Sequence, residues 1–126
     1  MKAPRPTMRF DNPVFDESQE YQYTVRVETE QGTKWRDVLE LDSVVNIGDS
    51  KGEFIRQAVV HDAYSIEFEL ISLFVLAYEH DPKCHSPEGL FAALQKAYPD
   101  ELADLGVTSI EKMWDIEVTV IGLILK

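Results

Sequence analysis

Apolar and polar residues alternate between positions 21 and 30, and this is the clearest local pattern in the chain. A period of two, with β-branched and aromatic residues, predicts a strand with one buried and one solvated face. The apolar face is Tyr21, Tyr23, Val25 and Val27, and the polar face is Gln22, Thr24, Arg26 and Glu28. Gln31-Gly32 then predicts a tight turn, because glycine tolerates positive φ. A second strand is predicted over about 33–43, although Asp37 interrupts its apolar face.

A helix is predicted over about 51–62, after a turn at 46–50. Ser50 and Glu53 have the spacing of a capping box, in which a hydroxyl caps the helix and the glutamate reaches back to the cap's own amide. Apolar residues then follow at helical spacing, at Phe54, Ile55, Ala58 and Val59.

Residues 65–75 and 115–125 share one pattern of apolar and polar positions, and four aligned residues are identical. The second segment is rich in β-branched residues, which favours strand over helix. Both segments are therefore predicted to be strands that begin half exposed and end covered on both faces. A match this short does not establish an internal duplication.

A helix is predicted between these two segments. Ser86 and Pro87 have the composition of a helix start, with serine as the cap and proline in the first turn. The apolar residues that follow are at helical spacing, and Pro99 ends the helix. Further short helical turns are predicted at 100–105 and from about 108 onward, before the last strand.

The predicted order of elements is strand, strand, helix, strand, helix, short helix, strand. This order predicts an α+β two-layer sandwich with about four strands in a mostly antiparallel or mixed sheet and two main helices. Residues 21–126 are predicted to form this single domain. Residues 1–20 hold three of the six prolines and are predicted to be an extended or mobile N-terminal segment.

The charge of the chain limits its partners. The net charge is −11, and the excess of acidic residues is greater in the second half, where 4 basic residues face 11 acidic ones. Phosphate contacts need Lys and Arg, so we expect neither direct binding of nucleic acid nor binding to anionic membrane surfaces. The charge instead favours a basic protein partner, although solubility alone also accounts for it.

The single cysteine excludes an intrachain disulfide and is typical of a reducing compartment. The first ten residues have no apolar stretch of signal-peptide length. The longest apolar run, at 70–78, is far shorter than a membrane span. The sequence therefore predicts a cytoplasmic location.

Four carboxylates are candidates for binding a partner. Glu67 and Glu117 occupy equivalent places in the two similar segments, and Glu69 and Asp115 lie close by in sequence. If the two strands are neighbours, these side chains cluster, and a basic partner would balance their repulsion. The alternative is an ordinary solvated strand face.

The segment 79–85 is the densest group of polar residues. His80, Cys84 and His85 lie within it, and His61 is the remaining histidine. Imidazole and thiolate are the usual ligands of zinc, so these four residues are the candidates for a metal site, with zinc or a similar metal as the only cofactor considered. The spacing is not that of a known zinc motif, and the alternative is a polar loop.

No catalytic motif is recognisable, which favours a non-catalytic function. In size, charge and absence of motifs the chain resembles small acidic α+β proteins that act as phage-encoded inhibitors or as immunity proteins. We therefore expect an acidic binding protein that occupies a basic, nucleic-acid-binding surface of a partner. One alternative is an assembly subunit that forms homo-oligomers through an edge strand or apolar patch. A second is a metal-binding domain or metal-dependent enzyme that uses the 79–85 loop.

Overall fold

The computed structural model describes residues 6–10, 13, 15–27 and 35–126, and these form an α+β two-layer sandwich. The strands are β1 (Thr7–Arg9), β2 (Tyr21–Arg26), β3 (Val44–Gly48), β4 (Phe54–Glu67) and β5 (Glu117–Leu125). The helices are α1 (Trp35–Val38), α2 (Leu73–Ala77), α3 (Pro87–Ala97) and α4 (Pro99–Asp104). Short 3₁₀ turns lie at Phe68–Leu70, Pro82–Cys84 and Ile110–Lys112.

The five strands form one mixed sheet in the order β1-β3-β4-β5-β2. β1 runs parallel to β3, and the other neighbours are antiparallel. The predicted fold class and mixed sheet are confirmed. The prediction missed β3, part of which was predicted as a turn, and β1, which comes from the segment predicted as an extended or mobile lead-in. It joins the sheet edge because Met8 and Phe10 are buried in the core.

The sheet separates two clusters of buried apolar side chains. Val118 and Val120 of β5 pack in the cluster that includes Leu90 and Leu94 of α3. Ile121 and Leu123 pack on the opposite face, with residues of β1 and β3. Successive side chains of a strand point to opposite faces, so β5 is buried on both sides, as its apolar sequence predicts.

The predicted helix over 51–62 is wrong, because this segment begins the long strand β4. Asp49 accepts hydrogen bonds from the backbone N–H of Lys51 and Glu53, both at 2.9 Å, and these form a tight turn in place of a capping box. Gly52 completes the turn with a φ of 84°. The helical spacing of the next apolar residues is accidental, since Phe54 and Ile55 are exposed.

A β-bulge in β4 hides the alternation that would have revealed the strand. Val60 pairs with Leu123 and Asp62 pairs with Gly122, so His61 is an extra residue. As a result, Val60 packs in the cluster of β1 and β3, whereas Tyr64 packs in the cluster of α3.

The strand predicted over 33–43 is wrong in its described residues, and the strand predicted over 65–75 is right only up to Glu67. Residues 35–38 form the short helix α1, and the next strand, β3, begins only at Val44. The predicted turn at 46–50 overlaps the end of β3, and the predicted turn at Gln31-Gly32 lies outside the described residues. The strand predicted to continue beyond Glu67 turns into a 3₁₀ turn and α2, whose cap is Ser72 with its Oγ 3.2 Å from the Val75 N–H.

The helices α3 and α4 confirm the predictions for their segments. The Ser86 Oγ accepts the Gly89 N–H at 3.1 Å, and Gly106 follows α4 with a φ of 74°. No helix in the described part of the chain is long and apolar enough to cross a membrane.

Candidate functional site

A cleft of about 680 Å³ lies between the outer edge of β2 and helix α3. Its walls combine apolar side chains of α3 with polar side chains of β2 and of the segment after α2. The polar and charged side chains are Arg9, Thr24, Arg26, Glu79, His80, Asp81, Lys83 and Lys96. Pockets that bind small molecules have this size and this mixture of apolar walls and few polar groups.

The β2 face predicted to be solvated is buried. Gln22, Thr24 and Arg26 are respectively 1%, 3% and 9% exposed. The amide Nε2 of Gln22 donates to the Asp16 carbonyl at 2.7 Å, so this residue holds the N-terminal segment over the strand. Thr24 and Arg26 line the cleft instead.

Arg26 lies in an aromatic environment. Its guanidinium carbon is 4.5 Å from the centre of the Phe10 ring and 5.7 Å from that of Trp35. Cation–π contacts of this kind stabilise a desolvated guanidinium. They also fix its position, so Arg26 presents a positive charge at a defined point of the cleft wall.

Glu79 is the second buried charged residue of the cleft, and it is 5% exposed. Its Oε2 accepts the Asp81 N–H at 2.7 Å, and its Oε1 lies 3.3 Å from the His80 Nε2. Burial raises the pKa of Glu79 to about 8, although the Asp81 N–H and the charge of Arg26 act in the opposite direction. At neutral pH the carboxyl group therefore mostly holds its proton.

The backbone of β2 positions Glu79. The Tyr23 N–H donates to the Tyr78 carbonyl at 2.9 Å, and the His80 N–H donates to the Tyr23 carbonyl at 2.9 Å. These bonds attach the chain after α2 to the outer edge of β2, and Glu79 lies between them. Val25 is two residues beyond Tyr23, so its N–H and C=O point to the same outer edge, along the wall of the cleft.

The turn that follows Glu79 joins it to α3. The Asp81 Oδ1 accepts the Lys83 N–H at 3.0 Å and caps the 3₁₀ turn. A Cβ at Gly89 would lie 1.9 Å from the Lys83 carbonyl oxygen, so α3 approaches this turn as closely as glycine permits. The close approach holds α3 and Glu79 on the same cleft.

Three of the predicted metal ligands surround Glu79 in other roles. The His80 ring packs edge-on against Phe10, with centroids 4.9 Å apart. The Cys84 thiol is buried and hydrogen bonds to the Glu79 carboxyl group, and burial raises its pKa. The His85 Nε2 lies 3.1 Å from the Glu79 carbonyl oxygen.

The fourth predicted ligand, His61, lies on the bulge of β4. Its ring packs against those of Tyr21 and Tyr23, at centroid distances of 5.1 and 5.5 Å, and burial lowers its pKa. All four candidates are among the described residues. Nowhere in the described part of the chain are three His, Cys, Asp or Glu side chains placed to hold one metal ion.

The structure brings the four predicted partner-binding carboxylates to one end of the β4–β5 pair. Glu67 and Glu117 are directly paired across the two strands. The Glu69 N–H donates to the Trp114 carbonyl at 2.9 Å, which places Asp115 beside this segment. All four side chains are exposed. We call these four residues the acidic end.

Thr24, Arg26 and Glu79 are not among the site residues predicted from the sequence. Thr24 and Arg26 were assigned to a solvated strand face, and Glu79 was only the first residue of the polar 79–85 segment. The available signal for Glu79 was that segment, which adjoins an apolar run. No local signal marks the other two.

No family model matches this chain, and no curated protein matches it. The solved structures that are similar in fold include the following two. One is a protein from Enterococcus faecalis V583 of the family DUF984, with a TM-score of 0.63 and 11% identity over 100% of this chain and 78% of that one. The other is an ASCH domain from Lactobacillus crispatus JV V101, with a TM-score of 0.57 and 12% identity over 84% of this chain.

These similarities show the fold alone. The match covers 64% of the length of the ASCH-domain chain. The α+β sandwich with its mixed sheet is thus an arrangement found in other proteins, and the chemistry of the cleft has to be argued from the residues of this chain.

Proposed function

We propose that this protein binds a small organic ligand in the cleft beside β2. One observation carries the proposal: the buried side chains of Arg26 and Glu79 line the same cleft of about 680 Å³. Strongly shifted pKa values in a cleft are typical of functional sites.

The charges of the cleft favour an anionic ligand. Four of the 12 Lys and Arg residues line it, against the two carboxyl groups of Glu79 and Asp81, although the chain as a whole carries a charge of −11. Arg26 is fixed in the wall, whereas Arg9, Lys83 and Lys96 are exposed at the rim. A carboxylate or phosphate would accept charge-assisted hydrogen bonds from this set.

The remaining groups favour a ligand that also has a neutral acceptor and an apolar part. Protonated Glu79 donates a hydrogen bond, so a ligand carbonyl or ring nitrogen would suit it. The outward N–H and C=O of Val25 add one donor and one acceptor. Leu90 and Leu94 of α3 supply the apolar contact.

Native mass spectrometry of untagged protein, followed by calorimetric titration, tests this proposal. The probes are small carboxylates and phosphate monoesters that carry a carbonyl or ring nitrogen. We expect Arg26→Gln to weaken binding about 10- to 100-fold, since a hydrogen bond to a charged group contributes about 1.5–3 kcal/mol.

Two further variants leave the buried part of the cleft intact. Lys83→Gln and Lys96→Gln change exposed rim residues and should each weaken binding a few-fold, more at low salt. Lys112→Gln, on an exposed 3₁₀ turn outside the cleft, is the control. Binding that is absent for every probe, or insensitive to Arg26→Gln and Lys83→Gln, would refute the proposal.

We infer a second candidate function from the acidic end. Four exposed carboxylates at one end of two paired strands are suited to a basic surface on a partner protein, as an inhibitor of a nucleic-acid-binding protein would need. Such binding should weaken steeply with salt. Reversing Glu67 and Glu117 to lysine should reduce it, and reversing Glu40 and Glu53, exposed elsewhere on the chain, should have a smaller effect. Equal effects of the two pairs would count against this role.

A further inference from the structure

An apolar groove of about 470 Å³ lies next to the acidic end. Its floor and walls are apolar, from Phe68, Ile71, Leu76, Leu90 and Trp114, and Glu69 of the acidic end is part of its lining. The groove and the carboxylates therefore form one continuous surface. It is separate from the polar groups of the cleft beside β2, although Leu90 lines both.

Large apolar side chains are exposed beside the groove. Leu70, Leu73 and Phe74 are respectively 61%, 80% and 58% exposed. Leu70 ends the 3₁₀ turn before α2, Leu73 and Phe74 begin α2, and Leu73 also lines the groove. A contiguous apolar patch rimmed by charged residues is typical of an interaction surface.

Among the described residues, no cation is paired with the carboxylates at the rim. In the part of the chain that the structure describes, no ion pair or side-chain hydrogen bond involves Glu67, Glu69, Asp115 or Glu117. Glu67 and Glu117 are moreover directly opposite each other, and like charges in that arrangement repel. A cationic partner would relieve this repulsion while it covers the apolar groove.

We propose that this surface docks a basic amphipathic segment of a partner protein. One or two apolar side chains of the segment would fill the groove beside Leu73 and Trp114, and flanking Lys or Arg would pair with the acidic end. This inference rests on the second function proposed above and adds to it the anchor that charge alone does not supply. In interfaces of this kind, apolar anchors hold the complex and charges steer its formation.

A labelled amphipathic peptide of Leu and Lys is the probe, and fluorescence anisotropy is the measurement. A scrambled peptide of equal composition separates docking from simple charge attraction. Leu70→Ser and Leu73→Ser remove exposed apolar groups, so the fold should tolerate them, and Leu105→Ser is a matched control at a residue 51% exposed outside the groove. Reversing Glu67 and Glu117 to lysine tests the charges.

We expect the amphipathic peptide to bind at least about tenfold more tightly than the scrambled one, and Leu73→Ser to remove most of that advantage. Leu105→Ser should change nothing. Charge reversal should weaken both peptides and flatten the salt dependence.

Three results would overturn the inference. If charge reversal weakens binding but Leu70→Ser and Leu73→Ser do not, the acidic end acts without the groove, and the second proposed function survives alone. Equal binding of the amphipathic and the scrambled peptide would also show that the acidic end acts without the groove. If sedimentation velocity shows a dimer that Leu73→Ser dissociates, the groove binds a second copy of this chain instead.

Discussion

Replacing the buried carboxyl group of Glu79 by an amide should remove a large pH dependence of stability. Glutamine has the shape and neutrality of the protonated side chain, and its oxygen can still accept the Asp81 N–H. The variant Glu79→Gln therefore keeps the neutral form of the group and abolishes the ionised one. Any difference in pH dependence between the two proteins reports the burial of this one charge.

The magnitude follows from the two pKa values. The pKa of Glu79 is about 8 in the folded protein, against 4.5 for an ordinary glutamate. Each pH unit between them corresponds to about 1.4 kcal/mol. At pH 7 the unfolded chain is ionised at this residue and the folded one is not, which lowers the free energy of unfolding by roughly 3 kcal/mol, a substantial part of the 5–15 kcal/mol of a typical domain.

The sign is opposite to that of a salt-bridged carboxylate. Below pH 4.5 both states hold the proton, and Glu79 has no effect on stability. As the pH rises from 4.5 to about 8 the unfolded state is stabilised by ionisation and the folded state is not, so stability falls. Above pH 8 both states are ionised, and the loss levels off at roughly 5 kcal/mol.

Urea unfolding followed by the fluorescence of Trp35 and Trp114 measures this effect. We expect Glu79→Gln and the parent protein to differ by less than about 1 kcal/mol near pH 5, by roughly 3 near pH 7 and by roughly 5 near pH 9, always with the variant more stable. The exposed Glu111→Gln is the control for a general change in net charge. A difference that stays constant across this range, or a variant that is less stable at high pH, would refute the reasoning.

Other predictions concern residues whose surroundings leave little freedom. Gly89→Ala should lower the melting temperature, although this change stabilises most helices by about 1 kcal/mol, because the new Cβ would lie 1.9 Å from the Lys83 carbonyl oxygen. Met113→Ala should lower the free energy of unfolding by about 2–5 kcal/mol in urea titrations, since Met113 is fully buried. Cys84 should resist iodoacetamide in the folded protein and react after unfolding, because it is buried and its pKa is raised. Alkylation of Cys84 that mass spectrometry detects without denaturing urea, while the protein is folded, would contradict this prediction.

The sequence predicted those elements whose signals are local. Helix α3 has its cap and first-turn proline in adjacent positions, and seven of the nine residues of β5 are aliphatic or β-branched. Both formed where they were predicted. The four carboxylates of the acidic end were also selected from sequence, and the pairing of Glu67 with Glu117 placed them together.

The helix predicted over 51–62 is wrong because the same spacing of apolar residues fits both a helix and a strand with a bulge. Apolar residues at 54, 55, 58 and 59 fit a helical stripe, and the bulge at His61 interrupts the period of two that a regular strand would show. The strand forms because β4 pairs with β3 on one side and with β5 on the other. The residues of β5 are distant in sequence, so the local pattern does not reveal this pairing.

By itself, then, the sequence determined the α+β class, the acidity of the chain and the elements that begin and end on local signals. The tertiary structure alone decided which polar residues are buried. Gln22, Thr24 and Arg26 have the spacing of a solvated face, and all three are buried. The guanidinium of Arg26 packs on Phe10 and Trp35, and Gln22 hydrogen bonds to the Asp16 carbonyl. Glu79 acquires its raised pKa in the same way, from burial beside a strand more than fifty residues earlier in the chain. Burial depends on what covers a face, and the covering residues are remote in sequence.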